Sequence, residues 1–303
     1  MADMIHYISE DLKLDRIYLE NLIAHSAHYY RTYDIKKPDG RLRHISHPSP
    51  ELKTLQYWCA ENIFSLFPVS NAAFAYRKGL SIKKHAEYHV KGKFILHMDI
   101  EKFFESITDN HTFELISKNS HLFIDKPFDI VEDVDTINNI CLKTGRMCIG
   151  SVSSPVISNA VLYDFDNAII EHCRTHGFKY SRYADDMYIS SETYIDSSII
   201  DFFIKELEKK GFRLNKKKTR FMSQKGKRSI TGLVITNEKK VSVGLDLRQK
   251  IKSMVYNKMI KDEGDPNVIM GYLSFLKDVE PLSYNKIIIK YSKYGNVIEK
   301  ILS

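Results

Sequence analysis

Three aspartates carry the chemistry that can be read first. Asp99 closes Lys93-Phe94-Ile95-Leu96-His97-Met98, a nearly continuous apolar run that suits a strand buried on both faces. Asp185 and Asp186 stand in KYSRYADDMYIS, which reads as two short strands around a tight Ala184-Asp185-Asp186 turn. Carboxylates at strand ends are costly unless paired or metal-bound, because desolvation and mutual repulsion oppose their charged forms. Two Mg²⁺ ions would offset that cost. They would also serve in-line phosphoryl transfer, one activating an attacking hydroxyl and one stabilising a leaving pyrophosphate. The residues alone leave blander readings open: a polar turn for Asp185-Asp186, and a helix N-cap before EKFF for Asp99.

The elements that must position these acids follow from the pattern of apolar residues. Residues 1–33 carry Leu12, Leu14, Ile17, Leu19, Leu22 and Ile23 on a helical stripe. Lys37-Pro38-Asp39-Gly40 reads as a turn, and RLRHIS after it as a short strand, together a basic hairpin. A helix is expected from Pro50, and a short one places Phe103, Phe104 and Ile107 together after Asp99. Residues 119–136, acidic and interrupted by Pro127, read as a surface excursion. Ser154-Pro155 opens a long helix, and another runs from Asp196 to a terminal Gly211. Short strands RFMSQ, ITGLVIT and KVSVG lead into helices over 245–303, giving α/β order with an all-helical end.

Composition sets outer bounds. The 303 residues, 43% hydrophobic and 27% charged, exclude disorder and a disulfide scaffold. Cys59, Cys141, Cys148 and Cys173 show no CxxC spacing and read as reduced thiols. No apolar run approaches a membrane span, and the acidic start lacks a signal-peptide core, so a cytoplasmic location is expected. The +7 net charge is uneven: residues 201–303 hold +12 and residues 1–200 hold −5. That asymmetry points to a polyanion partner for the last third, or to a solvated Lys-rich surface.

Taken in order, the blocks resemble a reverse transcriptase of the bacterial retron type, from Lys36 to Gly244. KKPDGRLRHISHPSPELKTLQYW resembles the first fingers block, and AFAYRKGLSIKKHAEYHVKGKFILHMDIEKFFESI the blocks that include the first catalytic Asp. GSVSSPVISNAVLYDFD resembles the block supporting primer–template and nucleotide; YADD is the palm turn, and LNKKKT and ITGLVI the blocks that follow it. The resemblance implies a right-hand polymerase with a mixed α/β palm: fingers over 1–92, palm over 93–244 and a helical thumb over 245–303.

Roles carry over residue by residue. Asp99, Asp185 and Asp186 match the catalytic, metal-binding acids, with the Ile100 carbonyl as a further ligand for two Mg²⁺ ions. Phe104 matches the aromatic gate that would exclude a 2′-OH, favouring dNTPs. Arg41 and Arg43 match triphosphate-gripping residues, Gly150 and Ser151 the nucleotide block, and Lys218 a lysine near the phosphates, although any of Lys216, Lys217 and Lys218 could point inward. Two retron marks, Asn-Ala-x-x-His and Val-Thr-Gly, appear as His85-Ala86-Glu87-Tyr88-His89 and Ile230-Thr231-Gly232, altered at the first position; His89, Thr231 and Gly232 are then RNA- or duplex-binding. In Ile149-Gly150-Ser151-Val152 the usual block has Gln first and Pro fourth. Lys250, Lys252 and Lys258 read as a thumb face opposite Leu247, Ile251, Met254 and Val255.

The resemblance implies RNA-directed DNA synthesis on a cognate structured noncoding RNA. Priming would come from a guanosine 2′-OH, giving an RNA–DNA product, in antiphage defence with a separate effector protein. Two other readings stay open. One is a group II-like or abortive-infection reverse transcriptase; the other is an RNA-binding scaffold with a vestigial polymerase.

Overall fold

Each break in hydrophobic periodicity becomes an element boundary. The computed structural model describes residues 3–37 and 40–302, so Pro38 and Asp39 of the expected turn lie outside the described residues. The single helical region expected over 1–33 is instead two helices, Met4–Leu12 and Arg16–Ala24, and a 3-10 turn, Ser26–Tyr29. Lys13 ends the first with a left-handed backbone, φ 53°. Asp3 and Asp15 cap the two starts by accepting from His6 N and Tyr18 N. Strand β1 (Tyr30–Lys36) then pairs antiparallel with β2 (Leu42–Pro48), Tyr30 opposite Pro48 and Lys36 opposite Leu42.

Strands β3 (Phe94–Asp99), β4 (Lys179–Tyr183), β5 (Asp186–Ser191) and β6 (Arg220–Ser223) form a four-stranded sheet in the order β4-β5-β3-β6. Strands β7 (Arg228–Ile230), β8 (Leu233–Ile235) and β9 (Val241–Ser242) form a three-stranded antiparallel sheet. The β7–β8 turn is Thr231-Gly232, with φ 45° and 85°. Positive φ at both positions matches the twist of the flanking strands, and the glycine takes its share without strain.

The chain divides into two compact units and crosses between them within β3 and within β5. The first comprises residues up to Lys78, Met98–Met187 and Asp196–Thr219; the second comprises Gly79–His97, Tyr188–Ile195 and the residues from Arg220 on.

In the first unit, helix Pro50–Asn62 starts at Ser49, whose side chain accepts from Leu52 N, with proline in its first turn. It buries Leu52, Leu55, Trp58 and Cys59, and also the polar Gln56. Residues 119–136 are not the surface excursion their acidity suggests: Phe123, Phe128, Ile130 and Val134 are buried. The Asp129 carboxylate accepts from Val131 N and Glu132 N, which closes the turn and lets the apolar neighbours face inward. The long helix expected from Ser154 is two, Ser154–Val161 and Tyr163–Thr175, and Ser153 holds the cap position. All four cysteines are buried and free.

The second helix brings Asp166 to Arg182, and neither side chain has any exposure. Arg182 Nε reaches both carboxylate oxygens at 2.9 and 3.1 Å, and Nη2 reaches Oδ2 at 2.7 Å. The Tyr180 hydroxyl adds a bond to Oδ1 at 2.8 Å. Burial works against the charged guanidinium, but the Asp166 charge and hydrogen bonds outweigh it and leave Arg182 above its ordinary value.

The second unit packs helices Leu245–Lys261, Pro266–Val279, Pro281–Tyr291 and Val297–Leu302 around one core. Ile251, Val255, Leu273, Leu276 and Ile301 meet Ile230, Leu233 and Ile235 there. Glu280 ties the sheet in, accepting from Ser242 Oγ at 2.5 Å and Val243 N at 2.7 Å. Among the described residues, no helix is long and apolar enough to cross a membrane.

The buried pair sets a stability expectation. Asp166→Ala strands an uncompensated guanidinium and should cost about 3–5 kcal/mol in urea unfolding. Asp166→Leu with Arg182→Met should cost clearly less than Asp166→Ala alone. A double variant less stable than the single one would show that the pair contributes more than mutual neutralisation.

Candidate active site

The end of β3 and the β4–β5 turn meet through the backbone: Ile100 N donates to Asp185 O at 3.0 Å. Ala184, before the acids, has a left-handed backbone, φ 57°, and its carbonyl accepts from Arg182 Nη1 at 3.0 Å. The buried ion pair therefore reaches directly into the turn that presents Asp185 and Asp186. Arg182 is further strapped by its own backbone, donating N to Ala72 O at 2.7 Å and accepting from Phe74 N at 2.8 Å.

Asp99 is buried, and both its carboxylate oxygens have partners. Asn215 Nδ2 donates to Oδ1 at 3.0 Å, and Lys218 Nζ lies 2.5 Å from Oδ2. Of the lysines in LNKKKT, Lys218 is the one in this contact; Lys216 lines a separate groove with Glu101, Glu208 and Arg213. The 3-10 turn Lys216–Lys218 and the bond from Asn215 N to Asp99 O, 2.8 Å, aim Lys218 at Asp99. Ile100 and Leu214 form a bridge through flanking bonds, Glu101 N to Arg213 O and Asn215 N to Asp99 O, neither of which uses the Ile100 carbonyl.

Electrostatics records the crowding of the acids. Burial, then the charges of Asp186 and Asp99, push the Asp185 carboxyl up to about 6, with Lys218 pulling weakly the other way. Among the described residues, no three acidic, histidine or cysteine side chains are gathered as a ready metal-ligand group. The donor chemistry nonetheless fits a hard divalent cation: three carboxylates and a main-chain carbonyl, with one acid held above its ordinary value by burial and by the other two carboxylates. Lys218 is the cation at Asp99 in this arrangement.

Phe104 sits in helix Phe103–Ser106, which starts after a left-handed Lys102 (φ 46°), and its ring packs 5.4 Å from that of Phe103. Arg41 and Arg43 are exposed, Arg43 on β2 opposite Ile35. Gly150 has φ 116°, and a Cβ there would lie 2.6 Å from Ser46 O, so only glycine fits; Ser151 beside it is buried.

In the second unit, two expectations need correction. His89 is buried with Nδ1 2.7 Å from Ser190 Oγ, and His85 is buried with Nδ1 3.2 Å from Thr231 Oγ1. These histidines tie helix Ile82–Tyr88 to its neighbours, so His89 is a core residue and offers no surface to RNA. Thr231 N donates to Tyr188 OH at 3.1 Å, and Gly232 is exposed at the turn. The thumb stripe also fails. Lys258 is buried among Ile251, Val255 and Met259 and paired with Asp262 at 2.7 Å. Lys250 and Lys252 are exposed, but two residues are about 200° around a helix, so they do not share a face.

Sequence reasoning missed four contributors. Asn215 lay one place before the lysine run, where charge drew the eye. Asp166 and Arg182 are 16 residues apart and look like ordinary surface charges in the sequence. Tyr76 has a left-handed backbone, φ 60°; burial and then the Asp185 charge raise its phenol, with Arg182 and Arg43 opposing. Tyr76 thus senses both the turn at Asp185 and Arg43, and no local pattern announces it.

Residues 35–237 match the family described as reverse transcriptase (RNA-dependent DNA polymerase). The retron Ec73 reverse transcriptase of Escherichia coli is 31% identical over 275 residues, which is 86% of this chain and 86% of the relative. The retron Ec86 reverse transcriptase of the same organism is 29% identical over 294 residues, 95% of this chain and 88% of the relative. The retron Ec83 enzyme, also from E. coli, is 28% identical over 290 residues, 90% of each. Among solved structures, telomerase from Candida tropicalis overlays 90% of this chain and 61% of its own at 12% identity and a TM-score of 0.49, too loose a likeness to add weight. With the family match spanning most of its length and retron enzymes aligned along nearly all of it, the chain belongs to the reverse transcriptases, RNA-directed DNA polymerases of the right-hand α/β fold, and among them to the retron type.

Proposed function

We propose that this polymerase copies part of a cognate structured noncoding RNA into single-stranded DNA (msDNA), primed from a guanosine 2′-OH, and acts in antiphage defence with a separate effector protein in the cytoplasm. The observation that carries the reading is the alignment to retron enzymes along 86–95% of the chain. In this reading residues 1–92 are fingers, 93–244 palm and 245–303 thumb.

Membership of the family implies dependence on a divalent metal. Here two Mg²⁺ ions would be held by Asp99, Asp185, Asp186 and the Ile100 carbonyl, and when bound they would supply charge for the attacking hydroxyl and the leaving pyrophosphate. Lys218, released from Asp99, would be placed to give a proton to that pyrophosphate. Phe104 would close the sugar side of a dNTP subsite, and Arg41 and Arg43 would grip its triphosphate.

Nucleic acid co-purifying from the native locus tests the central claim. A discrete DNA, shifted by debranching enzyme and absent from an Asp185→Ala, Asp186→Ala variant, is expected. DNA indifferent to debranching would remove the 2′-OH priming step, and a defence effect surviving in the variant would favour the scaffold reading.

The acid cluster sets a pH expectation. Because the Asp185 carboxyl is raised to about 6, the protonated form favours the folded state. Its stability contribution is present below the ordinary carboxylate value and lost as pH rises through about 6. Mg²⁺ should therefore raise Tm more at pH 7.5 than at pH 5. Asp185→Asn should stabilise the metal-free protein by about 1 kcal/mol while abolishing synthesis; a lower Tm for that variant would refute the repulsion argument.

Phe104→Ala should raise ribonucleotide incorporation relative to dNTP by about tenfold or more. Unchanged sugar selectivity would take Phe104 out of the gate.

A further inference from the structure

Gln56 is an anomaly in its helix. It has no exposure, yet it sits among Leu52, Leu55, Trp58 and Cys59 on the buried face, where a carboxamide must satisfy every polar atom or cost stability. All its bonds are made, and they lead to one place. Nε2 donates to Tyr30 OH at 2.8 Å and to Ile140 O at 3.0 Å. Oε1 accepts from Val152 N at 3.1 Å.

Val152 closes the Ile149-Gly150-Ser151-Val152 loop, which is stitched to β2 on its other side. Ser46 N donates to Ile149 O at 2.8 Å, and the Gly150 backbone passes so close to Ser46 O that no Cβ fits. Lys143 Nζ reaches Ser46 Oγ at 3.2 Å and lies 5.5 Å over the Tyr30 ring. Burial raises the Tyr30 phenol and keeps its proton in place, and the Ser151 hydroxyl is a further partner of that phenol. β2 therefore holds the start of the loop, and Gln56 holds its end, directly through Val152 and indirectly through Tyr30.

The residue at 152 explains why an acceptor is needed. Valine brings a backbone N–H, which a proline would not, in a half-buried position beside buried Ser151 and Ser153. We propose that Gln56 is a positioning residue for nucleotide binding: its buried carboxamide takes the Val152 N–H and thereby fixes the Gly150–Ser151 turn against which the incoming dNTP is held. The inference rests on the reading of Gly150 and Ser151 as part of the dNTP subsite.

A positioning role acts on nucleotide affinity more than on chemistry, and it is replaceable by any change that removes the orphan donor. In steady-state extension on a primed RNA template with the full chain, Gln56→Met should raise KM for dNTP about tenfold, equivalent to about 1.4 kcal/mol, with kcat changed far less. Adding Val152→Pro to Gln56→Met should return KM most of the way, because proline needs no acceptor. If Val152→Pro alone is inactive, Gln56→Glu, which keeps an acceptor oxygen, replaces it with the same expectation of near-normal KM. Gly150→Ala, which must push the loop off Ser46 O, separates this proposal from the reading beneath it. If Gly150→Ala raises KM and Gln56→Met does not, the loop binds nucleotide and Gln56 does not position it. If neither raises KM, the nucleotide reading of the loop fails and the proposal falls with it. A raised KM in Gln56→Met that neither Val152→Pro nor Gln56→Glu relieves would overturn the route through the Val152 N–H.

Discussion

The contact on which the geometry of the candidate site depends is the ion pair between Asp166 and Arg182, sealed from water on both sides. A guanidinium buried alone would be prohibitively costly, and so would a carboxylate; together, with the Tyr180 hydroxyl taking another lone pair, they become a rigid fixture. The geometry turns that fixture to use. Arg182 reserves Nη1 for the Ala184 carbonyl, and Ala184 is the left-handed residue that turns the chain between β4 and β5. A left-handed alanine costs about 1–2 kcal/mol against the ordinary helical or extended backbone. The bidentate pair and the strap to Ala72 and Phe74 over-determine the turn and hold it there. Two adjacent acids are thereby presented at a fixed place instead of moving apart to relieve their repulsion.

Repulsion is the second constraint, and the first unit answers it with few cations. Asp185 rises under burial first and then under the charges of Asp186 and Asp99, while Asp99 is met by Lys218 and by the Asn215 amide. The ammonium and the amide are different kinds of partner. Lys218 is on a flexible stem and partly exposed, so it can leave. Asn215 is held at its backbone by Asp99 O and fixes the rotamer of the carboxylate whether or not Lys218 is present. A site built this way keeps Asp99 oriented while its charge partner changes.

Much of this was legible in the sequence, and the failures have physical causes. Strand β3, the YADD turn and the helix at Pro50 follow from local pattern, because a buried strand or a capped helix is specified by the residues within it; ITGLVIT, expected as one strand, is instead broken by the Thr231-Gly232 turn into the end of β7 and β8. The family was legible for the same reason, as an ordered series of local blocks. Asp166 with Arg182, and Gln56 with Val152, are partners brought together by tertiary packing, and neither member of a pair is unusual alone. Residues 119–136 misled because acidity was read as exposure, whereas Asp129 spends its charge on closing a turn. His89 misled through resemblance: the motif was present, but its histidine is packed against Ser190.

Lys258 shows why charge counts and charge placement are different arguments. The +12 carried by residues 201–303 is real, but it is not laid out as a stripe on one helix. One lysine of the expected three is buried on Asp262, and Lys250 lies 4.7 Å over the Tyr272 ring. Lys277, Lys290 and Lys293 likewise lie over Tyr284, Tyr291 and Tyr294. Each ring fixes its ammonium beside an apolar face instead of leaving it free on a long stem. Affinity for a phosphate backbone depends on how many cations displace counterions, and hardly on their register along one helix. Such a surface suits nucleic acid without reading its sequence. In the proposed function, the choice of cognate RNA therefore has to come from RNA shape and from groups other than these lysines.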